Sequence, residues 1–175
     1  MFIISFFVLF RREEKGDNMV RIDKQIFIGK QHIRWRPDVE QYLKRYIGKS
    51  YYIKETADLI TIPSEFPDEY TGSSYTKKLR GSLAKVKANA AQVIDELVVN
   101  AENRRESDNK SDKHSQDASL GWLRYDTFFE VCVKGEEERE VRWNRYRATL
   151  VVRVTERGRF LYDMINIKKE ARRPL

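Results

Sequence analysis

Cysteine, histidine and long apolar runs are what this chain lacks. Its 175 residues include one cysteine, Cys132, so no internal disulfide can form. There is no Cys-x-x-Cys pair, and the only histidines are His32 and His114, which excludes a structural zinc site; no metal or other cofactor is expected. The most apolar stretch is MFIISFFVLF, ten residues at the start of the chain. A helix needs ~20 residues to cross a bilayer, so this one is too short. It does not read as a secretory signal either, because Arg11 and Arg12 follow the apolar stretch and no small-x-small cleavage site is present. No membrane partner is therefore expected, and a cytoplasmic location is. Back-translation of residues 15–19 allows a purine-rich AAGGAG just ahead of a methionine codon. In a bacterial source this makes Met19 the expected start and residues 1–18 a mis-assigned leader or disordered segment.

What the chain does have is enough apolar material for a core, 41% hydrophobic with 12% aromatic, and a formal charge of +7. That argues against wholesale disorder and favours an anionic partner such as RNA or another nucleic acid. The alternative is a basic but otherwise ordinary soluble protein.

The clearest pattern covers residues 121–169. Three runs rich in aromatic and β-branched residues, GWLRYDTFFEVCV, VRWNRYRATLVVRV and RFLYDMINIKKE, are separated by short polar breaks at 134–140 and 155–158. This predicts an antiparallel β-meander of at least three strands. In the first run Leu123, Tyr125, Thr127, Phe129, Val131 and Val133 share the expected core face, with Trp122, Arg124, Asp126, Phe128, Glu130 and Cys132 on the other. In the second, Tyr146, Ala148, Leu150, Val152 and Val154 form the apolar set, and Trp143, Arg145, Arg147, Thr149 and Arg153 point the opposite way. The third alternates ambiguously.

Upstream, Leu79, Leu83, Val86, Ala90, Val93, Ile94, Leu97 and Ala101 keep the spacing of one long amphipathic helix, with Ser73 or Ser74 as its cap. Lys77, Lys78, Arg80, Lys85 and Lys87 crowd its first half, where cations oppose the helix dipole; a phosphate-facing surface or a solvated face would account for them. Residues 103–119 read as a polar loop or a polar extension of that helix. The turn-rich stretch from Pro63 to Gly72 marks a boundary between an N-terminal unit, 19–62, and the body, 63–175. Within the former, residues 25–28 read as a short strand, and a helix begins with Pro37 in its first turn. The expected class is α+β: a long amphipathic helix packed on an antiparallel meander, with a small N-terminal α/β extension.

An open sheet face carrying arginines among Trp122 and Trp143 suits RNA, with guanidinium groups on phosphates and rings stacked on bases. Lys113, Trp122, Trp143, Arg145, Arg153 and Lys169 are the candidate nucleic-acid contacts. The same face suits metal-independent phosphodiester cleavage, in which cations hold the developing charge and a titratable group moves protons. His114, Arg124, Tyr125, Arg147 and Lys168 are the candidate catalytic set. Against both stands a merely polar outer face, its arginines paired across strands to Asp126 and Glu130, and a His114 that is only an exposed loop residue.

The segments IPSEFPDEYTGSSYTKKLRGSLAKVKANAAQVIDELVVNAENRR, KHSQDASLGWLRYD, WNRYRATLVVR and FLYDMINIKKE resemble a C-terminal domain of large polyvalent proteins of bacteriophages and conjugative elements. Its helix-then-meander order resembles the barnase–EndoU–colicin–RelE class of nucleases. The resemblance spans residues 62–175, and KH-x-x-DA-x-x-GW-x-RYD and YD-x-x-NIKKE are its most specific pieces. It implies a mobile-element domain that is either an endoribonuclease or a non-catalytic nucleic-acid-binding or protein-interaction module, with an immunity or mobile-element protein as partner. The polar motif positions it carries over are Lys113, His114, Asp117, Arg124, Tyr125, Asp126, Arg147, Asp163, Lys168 and Lys169. A site is expected where the KH–RYD and NIKKE segments meet over Arg147.

Overall fold

The computed structural model describes residues 19–29, 32–108, 118–134 and 141–171, with the backbone alone for 32–35. The expected leader at 1–18 and the segment bearing Lys113, His114 and Asp117 lie outside the described residues.

The three aromatic and β-branched runs form long antiparallel strands, β5 (Trp122–Lys134), β6 (Val141–Thr155) and β7 (Gly158–Lys169). They are the middle of a larger sheet. β1 (Val20–Ile22) joins β5 in parallel and β3 (Leu59–Thr61) joins β7 in parallel. β2 (Ser50–Tyr52) pairs antiparallel with β3, and β4 (Glu102–Ser107) pairs antiparallel with β5. The expected long helix on a meander is therefore corrected. The protein is a mixed sheet of seven strands curled into a half-barrel, ordered β1-β5-β6-β7-β3-β2, with β4 also on β5. Strands from residues 19–61, set apart in the sequence, are integral to this sheet. One continuous core runs from Val20 through Ile60, Ile94, Tyr125 and Leu150 to Ile167.

The helices are short: α1 (His32–Leu43), α2 (Phe66–Gly72), α3 (Ser74–Lys78), α4 (Gly81–Ala90) and α5 (Ile94–Val99). The predicted single helix breaks twice. Ser73 caps α3, accepting from the Thr76 amide, and Leu79 and Arg80 are extended before α4 starts. Lys77 and Lys78 thus sit in the last turn of α3, where the dipole favours cations, rather than at the start of a long helix. The second break is a 3-10 turn, Ala91–Val93. The Ala91 amide reaches back to Ala88, while the Tyr70 hydroxyl donates to the Lys87 carbonyl and the Tyr46 hydroxyl to that of Ala91 at 3.0 Å. Side-chain hydroxyls here take over carbonyls that a continuous helix would satisfy itself. Residues 84 and 86–91 are buried on every side, so this helix is a core element, not an amphipathic surface one.

Two more expectations change. Pro37 lies inside α1, which begins at His32, rather than in its first turn. Residues 25–28 form no strand, because Asn89 on α4 takes the part of a neighbouring strand. Its Oδ1 accepts from the amides of Ile26 and Phe27 at 2.8 and 3.1 Å, and its Nδ2 donates to the Phe27 carbonyl at 2.9 Å. Asn89→Ala is expected to cost about 2–3 kcal/mol, since it strands buried backbone groups. Native-state hydrogen exchange would show the loss first as deprotection of the Ile26 and Phe27 amides.

β7 explains its own ambiguity. Its pairing with β6 shifts register between Arg147 and Thr149 and again between Val151 and Val152, with Asn166 at φ 54°. Each shift reverses the alternation, so Leu161, Met164 and Ile167 are all buried although they stand three apart.

Candidate nucleic-acid interface

The outer face of the sheet, away from the helices, collects the arginines. Register sets them in rows: Phe128 opposite Arg147 and Arg147 opposite Lys168, with Glu130 opposite Arg145 and Cys132 opposite Trp143. On the far side of β5, Arg105 of β4 stands opposite Arg124. Side chains directly opposite lie ~5 Å apart at Cβ, and like charges there are destabilising. The face therefore holds two such rows, Arg147–Lys168 and Arg105–Arg124.

The carboxylates on this face only partly neutralise it. Asp126 Oδ1 accepts from Arg105 at 2.9 Å and Oδ2 accepts from Arg147 at 3.3 Å, with Asn103 Nδ2 donating to Oδ2 at 2.8 Å. One buried carboxylate thus serves two guanidinium groups. Glu130 pairs with Arg21 of β1 at 3.0 Å rather than with a β6 arginine, and Arg145 pairs with Glu170 at 3.0 Å. The cross-strand pairing anticipated from the sequence exists, but with these partners. Arginines also lie on rings: Arg145 over Phe128 at 5.3 Å and Arg21 over Trp143 at 4.8 Å. The ring fixes where each guanidinium lies, and each also donates from Nε to a carboxylate, Arg145 to Glu170 and Arg21 to Glu130.

Beside this face a groove of about 720 Å³ has Phe128, Arg145 and Arg147 as one wall and reaches Lys54 and Asn100. Its charges balance, Lys54, Arg145 and Arg147 against Glu55, Glu102 and Glu170, which leaves Lys168, opposite Arg147 on the open face, outside that balance.

The anticipated site residues separate into groups. Arg147, Lys168, Arg145 and Trp143 gather at one end, and Asp126 and Lys168 both adjoin Arg147, where the RYD and NIKKE segments were expected to meet. Lys169 is in register with Tyr146, a core-face position, and so lies on the opposite side from Lys168. Trp122 and Arg153 are paired at the other end, six residues along β6 or ~20 Å away. There Trp122 packs edge-on to Tyr162 at 5.0 Å, and Arg153 lies over Phe160 at 5.0 Å and 3.6 Å from Glu65. Lys113 and His114 lie outside the described residues.

Tyr125 faces the core, away from Arg147. It is wholly buried and donates to Asp58 Oδ2 at 2.6 Å. Burial first, then the bond to Asp58, pushes its phenol well above the ordinary tyrosine value. Asp58 is the hub that sequence reasoning missed. Arg104 Nη1 donates to both its oxygens at 3.1 and 3.2 Å, and Arg159 approaches Oδ1 at 3.7 Å, tying β3 to β4, β5 and β7. No periodic signal marks an aspartate two residues after a threonine in a turn.

Burial alone would raise the Asp58 carboxyl. The Tyr125 and Thr56 hydrogen bonds and the charges of Arg104 and Arg159 outweigh it, and the group ends below its ordinary value. Asp126 behaves the same way: burial raises it, while Asn103, Arg105 and Arg147 lower it further. Carboxylates depressed in the fold contribute stability that is present above the unfolded value of ~3.9 and lost as pH falls through the folded ones. The urea midpoint is therefore expected to drop as pH is lowered below ~4, and Asp58→Asn should flatten that acid limb while lowering stability at neutral pH.

Among the described residues no cluster of three or more His, Cys, Asp or Glu is arranged to hold a metal ion, and no helix is long and apolar enough to cross a membrane. Comparisons with protein-family models, with curated proteins and with solved structures return no match for this chain.

Proposed function

We propose that the protein binds single-stranded RNA in the cytoplasm on the outer face of β5, β6 and β7, at the end bearing Phe128, Trp143, Arg145, Arg147 and Lys168. The observation that carries this reading is the row Arg147–Lys168: two cations directly opposite each other on an exposed face, their repulsion only partly offset by Asp126, which Arg147 shares with Arg105. An anionic backbone running across β6 and β7 would relieve that repulsion, and the ring-borne guanidinium groups of Arg145 and Arg21 would continue the track. The net charge of +7 supports the same partner.

Binding is favoured over cleavage by the position of Tyr125. Of the catalytic set, Arg124, Arg147 and Lys168 place cations on this face, His114 lies outside the described residues, and Tyr125 is on the other side of the sheet, bonded to Asp58. Fluorescence anisotropy with a labelled single-stranded RNA at low salt tests the reading. Saturable binding that weakens as salt is raised is expected, with the RNA intact after incubation in EDTA. Absence of binding would remove the proposal; cleavage abolished by His114→Ala would replace it with the nuclease reading.

A further inference from the structure

A second cavity lies on the other side of the molecule, between α1, α2, α3 and α4, and has a volume of about 230 Å³. Its base is apolar and buried, formed by Val39, Ala84, Ala88 and the Tyr70 ring. Its mouth is formed by exposed cations, Arg36, Lys77 and Arg80. An apolar cavity of roughly 150 Å³ is already large enough to take benzene, so the cavity as a whole has room for one six-membered ring.

Among the described residues, the one carboxylate paired with a cation of the mouth is Glu40. Arg36 has a long contact with Glu40, 3.6 Å from Nε to Oε1, and that same oxygen accepts from the Thr71 hydroxyl at 2.8 Å. Arg80 is held by its Nη1, which donates to the carbonyls of Lys77 and Leu79 at 2.6 and 2.8 Å, fixing the guanidinium at the rim. The α3 dipole accounts for Lys77 but not for Arg36 or Arg80. Beside this apolar base Lys87 also lines the cavity, and it donates to Asp163 and to the Thr76 hydroxyl, both at 2.6 Å, so that part of the wall is polar and its charge is paired.

We propose that this cavity binds a small organic phosphate, with an aromatic or short aliphatic group in the apolar base and the phosphate at the mouth between Arg36, Lys77 and Arg80. The chemistry is complementary at both ends: a phosphate takes paired guanidinium donors in a fork geometry, and the base excludes water from the ligand's body. The site is separate from the sheet face and does not depend on RNA binding there.

Calorimetry on the full chain with phenyl phosphate, inorganic phosphate and phenol is the test. Phenyl phosphate should bind about tenfold or more tightly than either of the others, because only it engages both ends. Arg80→Ala, an exposed substitution, should weaken it by about tenfold, and Ala84→Leu should abolish it by filling the base. Arg147→Ala should leave it unchanged. If Ala84→Leu does not fold, Arg36→Ala takes its place, with the same loss expected as for Arg80→Ala. Phenyl phosphate binding no better than inorganic phosphate, binding no better than phenol, or affinity indifferent to Arg80→Ala would each overturn the proposal.

Discussion

Lys87→Met is expected to destabilise the protein by about 3–5 kcal/mol, the largest effect of any single polar substitution considered. Lys87 and Asp163 are 2% and 3% exposed, with Nζ 2.6 Å from Oδ1. The Tyr70 and Tyr75 rings flank the ammonium group at 4.6 and 5.2 Å. Removing the cation leaves a carboxylate with no counter-charge in a site that excludes water. The cost depends on pH, and its sign follows from the environment. Burial pushes the Lys87 ammonium below its ordinary value, offset in part by Asp163. It pushes the Asp163 carboxyl up, offset by Lys87, Ser73 and the Met164 amide. Without Lys87 the main offset is gone and the folded carboxyl holds its proton more tightly still. A carboxyl raised in the fold loses stability as pH rises above its unfolded value of ~3.9. Lys87→Met should therefore be least harmful near pH 4 and most harmful near pH 8, the reverse of the limb set by Asp58 and Asp126. Adding Asp163→Leu should recover most of the loss, because replacing a buried pair by apolar groups is often close to neutral. Urea unfolding of the two variants across this pH range checks both points. A single-variant cost below ~1 kcal/mol would mean the pair is hydrated.

The second large effect falls on binding rather than stability. Arg147→Ala with Lys168→Ala should weaken single-stranded RNA by about tenfold or more at moderate salt, while unfolding stability stays within ~0.5 kcal/mol of wild type. Stability is spared because the two cations repel each other and Asp126 keeps Arg105 and Asn103 when Arg147 is lost. Phe128→Ala should cost a further 1–3 kcal/mol, roughly, if a base stacks on that ring, and without changing the salt dependence. Arg153→Ala, some 20 Å away by strand rise, is the internal control: it sits against Glu65 and Phe160 and should matter much less.

The strands β5 and β6 were legible in the sequence because apolar residues recur at every second position, so Leu123, Tyr125 and Phe129 separate from Arg124 and Phe128 by simple alternation, although Asp126, Thr149 and Val151 on the other face are buried as well. β4 was not. Glu102–Ser107 has no apolar face, and as an edge strand it is held by ion pairs to Asp58 and Asp126, partners distant in sequence. β1 is three residues long and joins the sheet in parallel, without the hairpin turn that announces an antiparallel neighbour. The continuous helix failed for a related reason: its apolar spacing persists from Leu79 to Ala101, but Tyr46 and Tyr70, far upstream, take the carbonyls at the break. Of the candidate site, the meeting of Asp126, Arg147 and Lys168 was readable from alternation in three strands. The burial of Tyr125 against Asp58 was not, since a tyrosine on a core face and a catalytic tyrosine have the same pattern.

The central claim is that the Arg147–Lys168 row receives a nucleic-acid backbone. The salt dependence of RNA affinity tests it most directly, by anisotropy of one labelled single-stranded RNA against the wild type and the Arg147→Ala/Lys168→Ala variant over a series of potassium chloride concentrations. Each phosphate contact contributes ~0.7 to the slope of log affinity against log salt, so losing two contacts should make the variant's slope shallower by ~1.4. Parallel lines for the two proteins, or no saturable binding by the wild type, would contradict the account.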